Sequence, residues 1–249
     1  VSFGHGDREV KAVRHASLEI GRGETLALVG ESGSGKSVTA LSIMQLLPYP
    51  TAHHPSGSIM LEGEELMGAP AEVMQKIRGN RVAIIFQEPL TSLNPLHSIE
   101  KQLGEILFVH KKMEKDAARA RIIELLDEVG LPDVEDRLTA YPHQLSGGQR
   151  QRVMIAMSLA NDPDLLIADE PTTAVDVTIQ AQIIALLRDI QARRGMSILL
   201  ITHDLGIVRK VAHRVSVMKD GEIVETAATE KLFETPQHDY TKLLLAAEP

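Results

Sequence analysis

Gly30-Glu31-Ser32-Gly33-Ser34-Gly35-Lys36-Ser37 is the stretch whose reading decides the fold. An apolar run, Thr25 to Val29, leads into it. A helical pattern opens at Gly35 and runs to about Leu47, where Pro48 and Pro50 stop it. Strand, glycine loop and helix in that order are the context in which Gly-X-X-X-X-Gly-Lys-Ser holds phosphates. The glycines let backbone N–H groups turn inward, and the helix N-terminus adds partial positive charge. Lys36 can reach the β- and γ-phosphates of a nucleoside triphosphate, and the Ser37 hydroxyl suits Mg²⁺. The nucleotide-binding segment is therefore Gly30, Glu31, Ser32, Gly33, Ser34, Gly35, Lys36, Ser37 and Val38. A chance glycine-rich turn would lack these flanks.

Outward from the loop, strands alternate with helices, which predicts an α/β fold of the P-loop type with a mainly parallel central sheet. Arg81 to Phe86, Asp164 to Ala168 and Ser197 to Ile201 are apolar runs without alternation, as central parallel strands are. Ile179, Ile183, Leu186, Leu187 and Ile190 recur at helical spacing. From about residue 98 to 160 the pattern is helical, with Glu114 to Val129 rich in Ala, Glu, Leu and Arg. The expectation is one domain, 1–249, with a helical subdomain at about 88–160 inserted in the α/β core. No internal repeat or low-complexity tract interrupts it.

The 249 residues are 43% hydrophobic but only 3% aromatic, so the core must be aliphatic. Cys is absent, which excludes disulfides, thiolate metal sites and a Cys nucleophile. A net charge of −8, from 26 basic and 34 acidic residues, argues against a nucleic-acid binder. No apolar run approaches the roughly 20 residues that span a bilayer. The chain starts at Val1 with no leader-like segment, and the missing initiator Met suggests a domain trimmed from a longer protein.

Two further constellations carry chemistry. Leu165 to Glu170 is an apolar strand ending in two carboxylates, an expensive arrangement without a counter-charge. Asp169 fits the Mg²⁺ partner of a P-loop ATPase, and Glu170 could polarise an attacking water. Leu145-Ser146-Gly147-Gly148-Gln149 precedes a helix with Val153, Ala156, Met157 and Ala160 on one face. Ser146 would sit near the N-cap, and Gly147 and Gly148 would expose helix N–H groups to a second anion. One chain has little use for two γ-phosphate sites on different subdomains, whereas a head-to-tail dimer uses both.

With these motifs in hand, the chain resembles, over essentially its whole length, the nucleotide-binding subunit of ATP-binding cassette (ABC) transporters. The resemblance implies two such domains sandwiching two ATP molecules, each held by one phosphate loop and the partner's Ser146-Gly147-Gly148-Gln149. It implies that Gln87 contacts Mg²⁺ and water, that His203 lies near the γ-phosphate, and that Asp176 stands at the dimer interface. Phe3 is the candidate for stacking on adenine. Catalysis would then fall to Glu170, His203, Lys36 and Gln87, with Mg²⁺ on Ser37, Gln87 and Asp169.

Phe86 to Pro95, Tyr141-Pro142-His143-Gln144 and His238-Asp239-Tyr240-Thr241 resemble segments of oligopeptide, dipeptide and nickel importers, although the last tetrad usually has Pro where Asp239 stands. This implies an ATPase at the cytoplasmic face of a bacterial inner membrane, contacting permease subunits through the 88–97 loop. A solute-binding protein outside would be an indirect partner, and the second ATPase domain identical, paralogous or fused, as in microcin C-like importers. Soluble DNA-repair and chromosome-maintenance ATPases share the motifs, but they insert long coiled coils or zinc modules where this chain has short helices without Cys. Exporter ATPases are the other alternative; the Tyr-Pro-His-Gln approach to the signature resembles importers instead.

Overall fold

A computed structural model describes residues 1–86, 92–172 and 176–247. The chain divides into two units, residues 1–75 with 197–249, and residues 76–196. In the first unit β1 (Ser2–Phe3) pairs antiparallel with β2 (Val10–Lys11), Phe3 standing opposite Val10. Next comes β3 (Thr25–Val29), with every residue buried, feeding the phosphate loop and α1 (Lys36–Ile43). This helix ends short of the expected Leu47. Met44 caps it and Gln45 turns left-handed at φ 50°, its side-chain amide donating to the Ser42 carbonyl at 2.7 Å. β4 (Ala52–His53) returns to β1, and β5 (Met60–Leu61) with β6 (Glu64–Glu65) forms a small hairpin. From there α2 (Ala71–Ile77) carries the chain out of the unit.

In the second unit β7 (Val82–Ile85) opens a helical stretch: α3 (Ile99–Lys111), α4 (Lys115–Glu128), α5 (Val134–Leu138) and α6 (Gly147–Leu159). Ser98 caps α3 by accepting from the Lys101 N–H at 3.3 Å, while His110 and Lys111 face the negative end of its dipole. The expected single apolar face of α6 is a correction. Gln151, Val153, Met154, Ile155, Ala156 and Leu159 are all buried, positions that run around the whole helix, and α3, α4 and β7 each pack against it. β8 (Leu165–Asp169) lies parallel to β7, and α7 (Val177–Arg194) closes the unit on a left-handed Gly195.

The chain then re-enters the first unit with β9 (Ser197–Ile201), α8 (Leu205–Val211), β10 (Arg214–Lys219), β11 (Glu222–Ala228), α9 (Thr229–Glu234) and α10 (Asp239–Ala246). β9 and β10 flank β3 in parallel, which is why β3 needs no polar face. Asp220 and Gly221, both at positive φ (49° and 80°), turn β10 tightly into antiparallel β11. Ala27, Val29, Val208, Val215, Val217, Leu232 and Tyr240 form the core beneath the phosphate loop. Among the described residues, no helix is long and apolar enough to cross a membrane.

Candidate functional site

The phosphate loop lies between β3 and α1, and glycines at its ends allow the close packing it requires. A Cβ on Gly30 would lie 2.1 Å from the Met218 carbonyl oxygen, and one on Gly35 would lie 2.7 Å from the Ala12 carbonyl oxygen. Lys36 is only 7% exposed. Its ammonium donates to the carbonyls of Gly30 and Glu31, each at 2.8 Å, and to Ser34 Oγ at 3.4 Å. Glu31, Ser32, Gly33 and Ser37 are exposed, and Val38 is half-buried. The loop thus joins a buried cation to an exposed hydroxyl and a helix start, a combination suited to a polyphosphate.

Later elements of the same unit brace this loop from behind. The Gly221 N–H donates to the Ser34 carbonyl at 2.9 Å, and the Glu31 N–H donates to the Tyr240 hydroxyl at 3.1 Å. Sequence reasoning quoted Tyr240 only as a family marker and overlooked Asp220-Gly221. The dipeptide is itself a hairpin signal. His203 is exposed, two residues past β9. Its neighbours pin it: Asp204 N–H donates to Thr202 Oγ1 at 3.1 Å, and Asp204 caps α8 by accepting from Ile207 N–H at 2.9 Å. Phe3 is half-buried on β1, opposite Val10 and Ala52, near a stacked pair of rings, His5 and His53, 5.0 Å apart.

In the second unit Asp169 ends β8 and is 8% exposed. Glu170 follows in a left-handed conformation at φ 47°, so its side chain leaves the strand direction. Just beyond it, Gln151 of α6 donates from Nε2 to the Pro171 carbonyl at 2.5 Å. At the start of α6, Ser146 and Gln149 form a reciprocal capping box. Ser146 Oγ accepts from Gln149 N–H at 3.3 Å, and Gln149 Oε1 accepts from Ser146 N–H at 3.0 Å. Ser146 and Gly147 are exposed. A Cβ on Gly148 would press on Ile179 at 3.1 Å, but one on Gly147 would meet nothing within 4 Å among the described residues. Asp176 caps α7, accepting from the Thr178 and Ile179 N–H groups at 3.0 Å each. Gln87, residues 88–91 of the 88–97 loop, and residues 173–175 lie outside the described residues.

Parallel strands feeding a glycine loop with a buried lysine define a P-loop nucleotide-binding protein. A family model described as ABC transporter matches residues 13–173. Over all 249 residues the chain is 60% identical to the peptidoglycan transport ATP-binding protein YejF of Agrobacterium fabrum and 52% identical to the oligopeptide transport ATP-binding protein OppD of Bacillus subtilis. It spans 46% of that YejF and 70% of that OppD, so it is about half the length of the YejF relatives. It also resembles the ATP-binding cassette MJ0796, solved as a dimer in a post-hydrolysis state bound to ADP and Pi. There the TM-score is 0.80 at 29% identity, covering 92% of this chain and 95% of that one. The chain belongs to the ABC transporter family, as its ATP-binding cassette.

Proposed function

We propose that the chain hydrolyses ATP to power import of peptides, acting as one half of a head-to-tail dimer that encloses two nucleotides. One observation carries the dimeric reading: at Gly147, at the exposed start of α6, an added Cβ would meet nothing within 4 Å among the described residues. Glycine is costly in a helix, so its presence fits a close approach from outside, by a phosphate on the partner's loop. The peptide reading is supported by relatives named for oligopeptide, dipeptide and peptidoglycan transport.

In this scheme Lys36 leaves its loop carbonyls for the β- and γ-phosphates, and the N–H groups of Gly33 to Val38 cradle them. Phe3 stacks on adenine, and Asp176 lies at the subunit interface. Glu170 takes the proton of the attacking water, with His203 and Gln87 ordering that water and the γ-phosphate. Ser146, Gly147, Gly148 and Gln149 complete the partner's site. Ser37 and Asp169 offer hard oxygen donors, the kind Mg²⁺ takes, with Gln87 the third in this reading. Among the described residues no cluster of three or more metal-binding side chains forms a cage of its own. Bound to those oxygen donors, Mg²⁺ would neutralise charge on the phosphate oxygens. Permease subunits would dock on the 88–97 loop at the cytoplasmic face of the inner membrane, with a solute-binding protein outside.

Complementation tests this reading. Lys36→Ala and Ser146→Arg chains are each expected to be nearly inactive, one lacking the cation and the other a usable helix start. Mixed, they form dimers with one intact interface, and ATPase activity several-fold above either alone is expected. No recovery despite mixed dimers detected by mass spectrometry would rule out the shared-site arrangement.

A further inference from the structure

We propose that Tyr240 is a positioning residue for the phosphate loop: by accepting the Glu31 N–H it fixes the peptide unit whose carbonyl holds Lys36. The two contacts meet at one amide. Gly30 C=O and Glu31 N–H belong to the same peptide, which is planar and trans, so its N–H and C=O point in opposite directions. Tyr240 Oη holds the N–H edge at 3.1 Å, and Lys36 Nζ holds the C=O edge at 2.8 Å. Gly30 has φ 150°, a conformation open to glycine, so the residue before this peptide offers little resistance to its rotation. A hydrogen bond on one edge sets the direction of the other.

Tyr240 is itself firmly placed. It is 5% exposed and belongs to the core cluster with Val29, Val217 and Leu232. Lys219 Nζ lies 4.9 Å from the centre of its ring. At the entry to α10, Glu225 accepts from the Gln237 and His238 N–H groups at 2.9 and 3.0 Å, and His238 Nδ1 accepts from the Tyr240 N–H at 3.1 Å. Burial, opposed by the Glu31 N–H but helped by the Glu31 and Asp220 carboxylates, raises the phenol above its ordinary value. The hydroxyl therefore stays neutral at physiological pH, and its oxygen accepts the Glu31 N–H without carrying a charge. The route runs from Glu225 to the helix entry, to Tyr240, to the Gly30–Glu31 peptide, to Lys36. It gives the His238-Asp239-Tyr240-Thr241 tetrad a task at the nucleotide, about two hundred residues away in sequence.

This inference rests on the nucleotide-binding reading above, and the test separates the two. Tyr240→Phe keeps the ring and its packing and deletes the acceptor. Affinity for Mg·ATP, by calorimetry, and for the phosphate-free probe TNP-adenosine, by fluorescence, is measured for the parent and variant chains. The parent binding no ATP would overturn the nucleotide reading itself. With the parent binding ATP, Tyr240→Phe is expected to weaken ATP about five- to tenfold, leave TNP-adenosine within twofold, and raise KM more than it lowers kcat. Hydrogen exchange at the Glu31 amide should speed up at least tenfold, a readout that needs no nucleotide. Unchanged ATP affinity and unchanged Glu31 exchange would overturn the proposal, as would equal loss of both probes, which marks a packing role. Tyr240→Leu, which also removes the ring, is the comparison for packing alone: it should lower Tm where Tyr240→Phe barely moves it.

Discussion

The ammonium of a lysine that is 7% exposed must find oxygen, because a buried unpaired charge is among the costliest features a protein can carry. Lys36 finds the Gly30 and Glu31 carbonyls, and so supports the loop as well as any ligand the loop takes. Lys36→Ala is therefore expected to do two things. It should weaken ATP binding by about two orders of magnitude, since charge-assisted contacts to phosphate are lost. It should also lower Tm without nucleotide, by the few degrees that follow from about 1–3 kcal/mol of unsatisfied buried carbonyls. Scanning fluorimetry checks the second effect, and an unchanged Tm would mean the carbonyls have other donors. At Glu170 the left-handed backbone, φ 47°, costs a non-glycine residue about 1–2 kcal/mol. Such strain is tolerated where a side chain must be aimed, and it re-aims this carboxylate away from the line of β8. Glu170→Gln keeps shape and loses basicity. ATP binding should persist while hydrolysis falls about a hundredfold or more, and near-normal turnover would remove Glu170 from the role of base.

Elements differed in how plainly the sequence announces them. β3 and β9 match their apolar runs residue for residue, because a strand buried on both faces leaves no polar interruption. β1, β2, β4, β5 and β6 are two residues each, too short for any periodicity to register. The one-faced reading of α6 failed for a different reason: a helix packed on several sides reads as whichever face one chooses to count. Just past β4, His54 shows how closely the small strands sit against α1. Its Nε2 lies 3.3 Å from Ser42 Oγ, and its ring is 5.8 Å from that of Tyr49. Burial, with added repulsion from the N-terminal ammonium and His53, pushes the His54 pKa below its usual value. The unfolded chain then binds this proton more tightly than the folded one, so the contribution to stability is complete above the ordinary histidine pKa and is lost as pH falls through it. Tm should drop between pH 7.5 and 5.5, and the drop should be smaller in His54→Gln; equal slopes would assign the acid sensitivity to other groups.

At the scale of the molecule, the sequence makes the phosphate loop and paired acids plain because contiguous residues build each of them. The brace behind the loop was not legible: Gly221 and Tyr240 reach Ser34 and Glu31 from the far end of the chain, and only folding joins them. The exposed start of α6 raises a question of selection. Gly147 loses more backbone freedom on folding than alanine would, and among the described residues nothing lies close enough to require the missing Cβ. Gly147→Ala should therefore make the isolated chain more heat-resistant, by a few tenths to about 1 kcal/mol, while ATP turnover falls. Calorimetry and an ATPase assay on the same preparation check both halves; full turnover with raised stability would leave the glycine without a purpose. A library screened for heat resistance alone would then accumulate alanine at 147 and drift toward stable, idle monomers. One screened for turnover would keep the glycine, at a standing cost that evolution has chosen to bear.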